Sequence, residues 1–264
     1  MPLQIAEVDR RILEHSPLTN VICQIRFDRT PHVAEAKTAR RFHELLGGPD
    51  GPFPKLNVIT EQMVNVSVGP NVPPSLGHQT AVPGWRLTDA EDKRAIVLMP
   101  HLVTLEAQNY AGWDEDFRPL LETILDGIDE CVSPVFEERI GLRYINQIVT
   151  PEVSTPREWR EHFDPHLLGL VLHDEIGEHL AFSRQQVVLE LEDDVRCTVN
   201  HGFGPDPDRP GQLTYLLDVD TARAGMRSYD RANVAAAVAL FNSYALRIFQ
   251  LAVAPSVREH LSAV

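Results

Sequence analysis

One segment of the sequence combines the residue types of an anion-binding site. It reads RIGLRYIN from Arg139 onwards, and in an extended strand Arg139, Gly141 and Arg143 share one face while Tyr144 and Asn146 share the other. Guanidinium groups grip carboxylates and phosphates through forked hydrogen bonds, and a glycine between them lets a ligand or another backbone approach closely. We therefore take Arg139, Arg143, Tyr144 and Asn146 as candidate ligand-binding residues. The alternative is that both arginines form ion pairs with nearby acidic residues and hold the two halves of the fold together.

Four histidines follow within an acidic stretch: His162, His166, His173 and His179. On one helix, His162 and His166 would lie one turn apart and could share a metal ion. Pro165 argues against a continuous helix at this point, and spacing alone is weak support for a metal site. The stretch therefore predicts surface histidines and no metal site, although the question of metal binding by one of them stays open.

Signatures of nucleotide binding and of nucleophilic catalysis are absent from the sequence. It contains no GxxxxGK[ST], GxGxxG, GxSxG or HExxH motif. Cys23, Cys131 and Cys197 lie in apolar contexts without a CxxC pair, which predicts buried thiols in a reducing compartment. We predict no catalytic residue and no cofactor, and the sequence favours a non-enzymatic role.

Three aromatic residues, Trp85, Tyr110 and Trp113, bracket a run of predicted strands. Aromatic rings at strand ends usually cover the core, and they also serve as anchors in protein–protein interfaces. We take these three as candidate interface residues, with packing in the core as the alternative.

An antiparallel sheet must position these side chains. Alternating apolar residues predict strands at 20–27 and 135–148, and three strands followed by a helix occur twice, near 85–130 and near 183–254. Asp230 is the expected cap of the last helix. The predicted fold class is α+β, with antiparallel sheets in two β-β-β-α pseudo-repeats and a long C-terminal helix.

The two pseudo-repeats suggest a division of the chain into residues 1–150 and residues 151–264, or one continuous domain. Residues 47–84 hold seven of the chain's twenty prolines, which predicts a long irregular excursion that could act as a recognition loop. Within it, residues 57–68 alternate well enough to form a strand. Thr155 and Glu158 match a capping box and predict the start of a short helix.

The charge balance narrows the classes of partner. The formal net charge is -14, which argues against a broad phosphate-binding face and makes nucleic acid an unfavoured partner. The most apolar stretch, 234–254, contains Asn242 and Arg247, which are costly in a bilayer, so it predicts a packed helix. The first residues lack a signal-peptide pattern. We expect a cytoplasmic protein with no membrane partner.

Several segments resemble a sporadically distributed, uncharacterised bacterial family of about this length. The matching segments are SPLTNVICQIRF at 16–27, GWRLTD at 84–89, LEAQNYAGW at 105–113, RIGLRYIN at 139–146 and LDVDT at 217–221. The resemblance spans most of the chain and is most specific at 139–146. It implies an accessory role of the kind found near mobile elements, defence loci or biosynthetic clusters, and it supplies no activity, cofactor or catalytic residue.

These observations favour a non-enzymatic accessory protein that binds a protein partner or its own copy. The alternative is a small-ligand or phosphate-handling enzyme centred on Arg139 and Arg143. A third hypothesis is a nucleic-acid-associated component that uses the basic cluster of Lys37, Arg40 and Arg41.

Overall fold

One large antiparallel sheet organises the chain. The computed structural model describes residues 13, 15–63, 66–69, 72–76, 80–150, 153–192 and 194–262. Within them, nine strands form the sheet and two more form a separate hairpin. The strands are β1 (Leu18–Phe27), β2 (Lys55–Met63), β3 (Val66–Gly69), β4 (Val72–Leu76), β5 (Thr80–Thr88), β6 (Arg94–Met99), β7 (Leu102–Ala107), β8 (Phe136–Val149), β9 (Ser183–Glu190), β10 (Val195–Pro205) and β11 (Leu213–Ser228).

The strand order places the N-terminal and C-terminal parts of the chain side by side. From one edge to the other it is β2, β5, β6, β7, β1, β8, β11, β10 and β9. The two inner strands β1 and β8 pair with each other, β7 pairs with β1, and β11 pairs with β8, all antiparallel. The α+β class and the antiparallel sheet are as predicted. The sheet runs across residue 150 through the pairing of β8 with β11, and the division into two domains stays a prediction.

Five α-helices accompany the sheet within the described residues: α1 (Ala36–Leu45), α2 (Arg118–Gly127), α3 (Pro165–Leu168), α4 (Arg231–Ala252) and α5 (Pro255–Ser262). Of these, α4 packs on β8 and β11 and also touches α2. The Asp230 carboxylate accepts a 2.8 Å hydrogen bond from the Asn233 backbone N–H, so this residue caps α4 as expected.

One face of the sheet is buried beneath the helices. On β1, Val21, Cys23, Ile25 and Phe27 are buried, whereas the intervening side chains are partly or fully exposed. This period of two separates a core face from a polar face. The same alternation continues along β8 and β11, and it decides on which side of the sheet each candidate site residue lies.

Two sequence predictions for irregular parts of the chain had different outcomes. The capping box at Thr155 and Glu158 is present and starts the 3-10 helix Pro156–Glu161. The expectation of a long irregular excursion at 47–84 was wrong, because β2 pairs with β5 over nine residues and forms one edge of the sheet. Val64, within the strand predicted at 57–68, lies outside the described residues.

Among the described residues, one helix is long and apolar enough to cross a membrane by length and composition. This helix is α4, and ten of its residues, including Asn242, are buried within the protein. This burial agrees with the packed helix that the sequence predicts for 234–254.

Candidate functional site

Strand β8 presents the four candidate ligand-binding residues on two different faces of the sheet. Arg139 and Arg143 lie on the polar face, and Tyr144 and Asn146 are buried beneath α4. The structure thus separates the two arginines from the other pair.

Arg143 is held by a buried carboxylate on the neighbouring strand. Its Nε and Nη2 atoms each donate a 2.7 Å hydrogen bond to Asp218. The Asp218 side chain is 1% exposed, whereas that of Arg143 is 43% exposed. These bonds to Asp218 raise the pKa of Arg143 above its usual value, and partial burial opposes them. The guanidinium therefore neutralises a carboxylate that solvent does not reach.

Arg139 makes longer contacts on the same face. Its Nη2 atom lies 3.5 Å from Asp220, and its Nη1 atom lies 3.4 Å from the Gln24 side-chain oxygen. Gly141 makes room for this arrangement, because a Cβ added there would lie 2.5 Å from Arg139 Nη1. Burial raises the pKa of Asp220, and the charges of Arg139 and Arg143 oppose that effect.

These contacts belong to a hydrogen-bonded network that runs across the polar face. On one side, Gln186 of β9 donates to Asn200 of β10, which donates to Asp218. On the other side, Gln24 of β1, which accepts from Arg139, donates to Thr104 of β7. Both arginines thus contact carboxylates of β11. These contacts agree with the alternative interpretation, in which the two arginines form ion pairs with acidic residues. Binding of an anionic ligand by them stays a prediction.

Tyr144 and Asn146 lie at a cavity on the helical side of the sheet. Tyr144 donates a 2.8 Å hydrogen bond to the Asn242 side-chain oxygen, and Asn146 donates to the Leu217 carbonyl at 3.2 Å. The cavity has a volume of about 190 Å³. Its apolar walls include Leu18 of β1, and its lining also includes residues of the segment 110–115 before α2 and of α4.

Two of the three candidate interface aromatics line this cavity. Tyr110 meets Tyr144 edge-on at a centroid distance of 5.9 Å, and Trp113 stacks on Phe117 at 5.8 Å. Trp85 lies elsewhere, as a buried residue whose indole N–H donates to the Val33 carbonyl at 2.9 Å. The structure thus brings together Tyr110, Trp113, Tyr144 and Asn146, which the sequence analysis placed in two different sites.

The histidines of the acidic stretch do not converge on one point. His162 Nδ1 lies 3.2 Å from the Glu158 carbonyl, and the exposed His166 contacts Asp164 at 2.8 Å. Within the described part of the chain, no group of three or more His, Cys, Asp or Glu side chains is disposed to hold a metal ion. Two residues of the basic cluster are also paired, since Lys37 contacts Glu35 and Arg41 contacts Glu130.

A buried polar pair escaped the sequence analysis. His201 Nδ1 lies 2.9 Å from the Tyr215 hydroxyl, both side chains are 1% exposed, and Phe163 stacks on Tyr215 at 3.7 Å. Burial lowers the pKa of His201. The signal was present, because His201 continues the inward alternation of Val195, Cys197 and Val199, which are all buried.

Both outer edges of the sheet have an uncharged, exposed stretch between charged residues. At one edge, Lys55, which contacts Asp92 at 2.8 Å, and Glu61 flank the uncharged stretch 56–60 of β2, in which Val58 is 63% exposed. At the other edge, the stretch 185–189 of β9 has no charged residue, and Val187 and Val188 are 42% and 47% exposed. In the described residues no strand pairs with the outer side of β9. Uncharged, exposed edges are the ones that pair with further strands.

No family model matches this chain, and a search of curated proteins finds none that is similar. The resemblance of segments such as RIGLRYIN to a sporadic bacterial family therefore stays a prediction.

Proposed function

We propose that this chain is a non-enzymatic accessory protein of the bacterial cytoplasm that binds a second copy of itself through the outer edge of β9. The observation that carries the proposal is the uncharged, exposed edge formed by Gln185 to Leu189. Such an edge offers unpaired backbone N–H and C=O groups to another strand. Pairing with an added strand is a common mode of protein recognition.

The order of the strands supports an open position beside β9. The first half of the chain runs β1, α1, the meander β5 to β7, and α2; the second runs β8, α3, the meander β9 to β11, and α4. In each half the last strand of the meander pairs with the first strand of that half. We interpret this order as two β-α-β-β-β-α pseudo-repeats, in which β9 corresponds to β5. In the first half β2 covers β5, whereas no described strand covers β9.

The sequence of β9 favours another β9 as the added strand. In an antiparallel pair centred on Val187, Arg184 of one copy lies opposite Glu190 of the other, and this contact occurs twice because of the two-fold symmetry. Opposite charges in directly facing positions stabilise a strand pair by about 0.2–1 kcal/mol each. Arg184 is exposed and makes no ion pair with another described residue, whereas Glu190 contacts Arg196 at 2.7 Å.

The mass of the native protein tests this proposal. We expect the wild type to be a dimer at micromolar concentration by native mass spectrometry and light scattering. Val187→Lys places two ammonium groups next to each other at the two-fold axis, so it should give a monomer. Val58→Lys changes a 63% exposed valine on the opposite edge strand β2 and should remain a dimer. A monomeric wild type, or a dimer unaffected by Val187→Lys, would overturn the proposal.

A further inference from the structure

The cavity beside α4 has the lining of a small-molecule site. Its walls combine aromatic rings, aliphatic side chains and two buried amides, and they are contributed by β1, the segment 110–115 before α2, β8 and α4. The lining residues are Leu13, Ser16, Pro17, Leu18, Tyr110, Ala111, Gly112, Trp113, Asp114, Glu115, Tyr144, Asn146, Asn242, Ala245, Leu246 and Phe249. An apolar cavity with a few convergent polar groups is the usual form of a ligand pocket.

One polar group in this lining has an unmet hydrogen bond. Asn242 is 4% exposed, and its side-chain oxygen accepts from the Tyr144 hydroxyl. Its amide nitrogen is buried and has no hydrogen-bond partner among the described residues. An unsatisfied buried amide is unfavourable, so a ligand acceptor placed beside Asn242 would supply the hydrogen bond that this nitrogen can donate.

The charged residues of the lining favour a cationic ligand. Among the residues that the structure describes, the lining contains no lysine, arginine or histidine, so these residues offer no counter-charge to an anion. It contains two carboxylates, Asp114 and Glu115, beside the rings of Tyr110 and Trp113. Asp114 lies 3.5 Å from Arg118, whereas Glu115 makes no ion pair with another described residue. Carboxylates and aromatic faces together attract an ammonium group.

The size of the cavity limits the ligand further. A dry cavity of about 150 Å³ can hold benzene. The present cavity of about 190 Å³ therefore admits one ring with a short side chain. We propose that this cavity binds a small amine with an aromatic or similarly apolar body, whose ammonium group lies at Glu115 and whose body lies against Trp113 and Phe249.

Three probes of nearly equal size test the proposal: 2-phenylethylamine, 2-phenylethanol and phenylacetate. Binding is followed by titration of the ¹⁵N-labelled full chain, with the Trp113 indole N–H and the Asn242 amide as reporters. We expect a dissociation constant for the amine at least tenfold below that for phenylacetate, with the alcohol between them. Equal affinity for amine and carboxylate, or no binding of the amine, would overturn the proposal.

Two variants locate the ligand within the cavity. Glu115→Gln changes an exposed side chain and should weaken binding of the amine at least threefold while leaving the alcohol unchanged. Asn242→Leu should weaken both ligands, because it removes the polar group that faces them. Val58→Lys, on the distant strand β2, is the matched control and should bind the amine as the wild type does. Unchanged binding by both cavity variants would place the ligand elsewhere and contradict the assignment.

Discussion

Arg143 and Asp218 form a pair in which one partner is buried and the other is accessible. Two hydrogen bonds of 2.7 Å join them, and the side-chain exposures are 43% for Arg143 and 1% for Asp218. The two residues lie in the segments RIGLRYIN and LDVDT, on the adjacent strands β8 and β11. The pair therefore links β8 to the neighbouring strand β11 on the polar face of the sheet.

Removal of Arg143 should destabilise the protein more than removal of an exposed arginine. Arg143→Ala leaves the Asp218 carboxylate buried without its main partner, and we expect a loss of about 1–3 kcal/mol in the free energy of unfolding. Arg196→Ala removes an ion pair with Glu190, whose side chain is 73% exposed, and should cost less than about 1 kcal/mol. Urea denaturation measures both. Equal losses would contradict the structural role of Arg143.

The two neighbouring aspartates should respond differently to neutralisation. Burial raises the pKa of Asp220 above 3.8. The contribution of this shift to stability is therefore fully present below pH 3.8 and is lost as the pH rises through the raised pKa. Asp220→Asn should therefore be at least as stable as the wild type at pH 7, and any advantage should shrink as the pH falls. Asp218→Asn should be less stable than the wild type at pH 7. A larger loss for Asp220→Asn than for Asp218→Asn would refute this distinction.

His201 should make the fold sensitive to mild acid. Its pKa lies below 6.5 in the folded protein because it is buried, so its contribution is present above pH 6.5 and is lost as the pH falls through the lowered value. His201→Gln should reduce the loss of stability between pH 7 and about pH 5, the range in which histidines titrate. His166→Gln is the control, because the His166 side chain is 95% exposed. The idea fails if the free energy of unfolding of both variants, measured by chemical denaturation, depends on pH as that of the wild type does.

The cysteines should react only after the protein unfolds. Burial raises the pKa of Cys23 to about 12 and that of Cys197 to about 11, and it also raises the pKa of Cys131. Thiolate is the reactive form, so a thiol reagent at pH 8 should label these residues slowly. Full labelling should appear in denaturant. Rapid labelling of Cys23 or Cys197 in the native protein would show that these strands open.

Local patterns in the sequence predicted the parts of the fold that depend on near neighbours. The alternation of β8 placed Arg139 and Arg143 on one face and Tyr144 and Asn146 on the other, and Asp230 and Thr155 predicted two helix starts. The prolines of 47–84 gave a wrong expectation, because those at 52 and 54 precede β2 and none lies within Lys55–Met63. The high proline content of residues 47–84 as a whole therefore hid a regular strand within them.

The cavity could not be predicted from the sequence. Tyr110 comes from a loop, Trp113 begins the short π-helix that precedes α2, Tyr144 comes from β8, and Asn242 comes from α4. These residues meet only because α4 packs on β8, and nothing in their spacing encodes that long-range contact. The pairing of Arg143 with Asp218 is of the same kind, since it depends on the register of β8 against β11.

The most direct test of the β9 interface is a disulfide at its proposed centre. In the antiparallel pair that we propose, Val187 faces its own copy, so Val187→Cys should form a linked dimer under mild oxidation, with the bond at residue 187 by mass spectrometry. The native cysteines are buried and should not compete. Val58→Cys on β2 serves as the control and should remain unlinked. Rapid linkage of Val187→Cys alone is the predicted result, and a monomer, or equal linkage of both variants, would contradict the account.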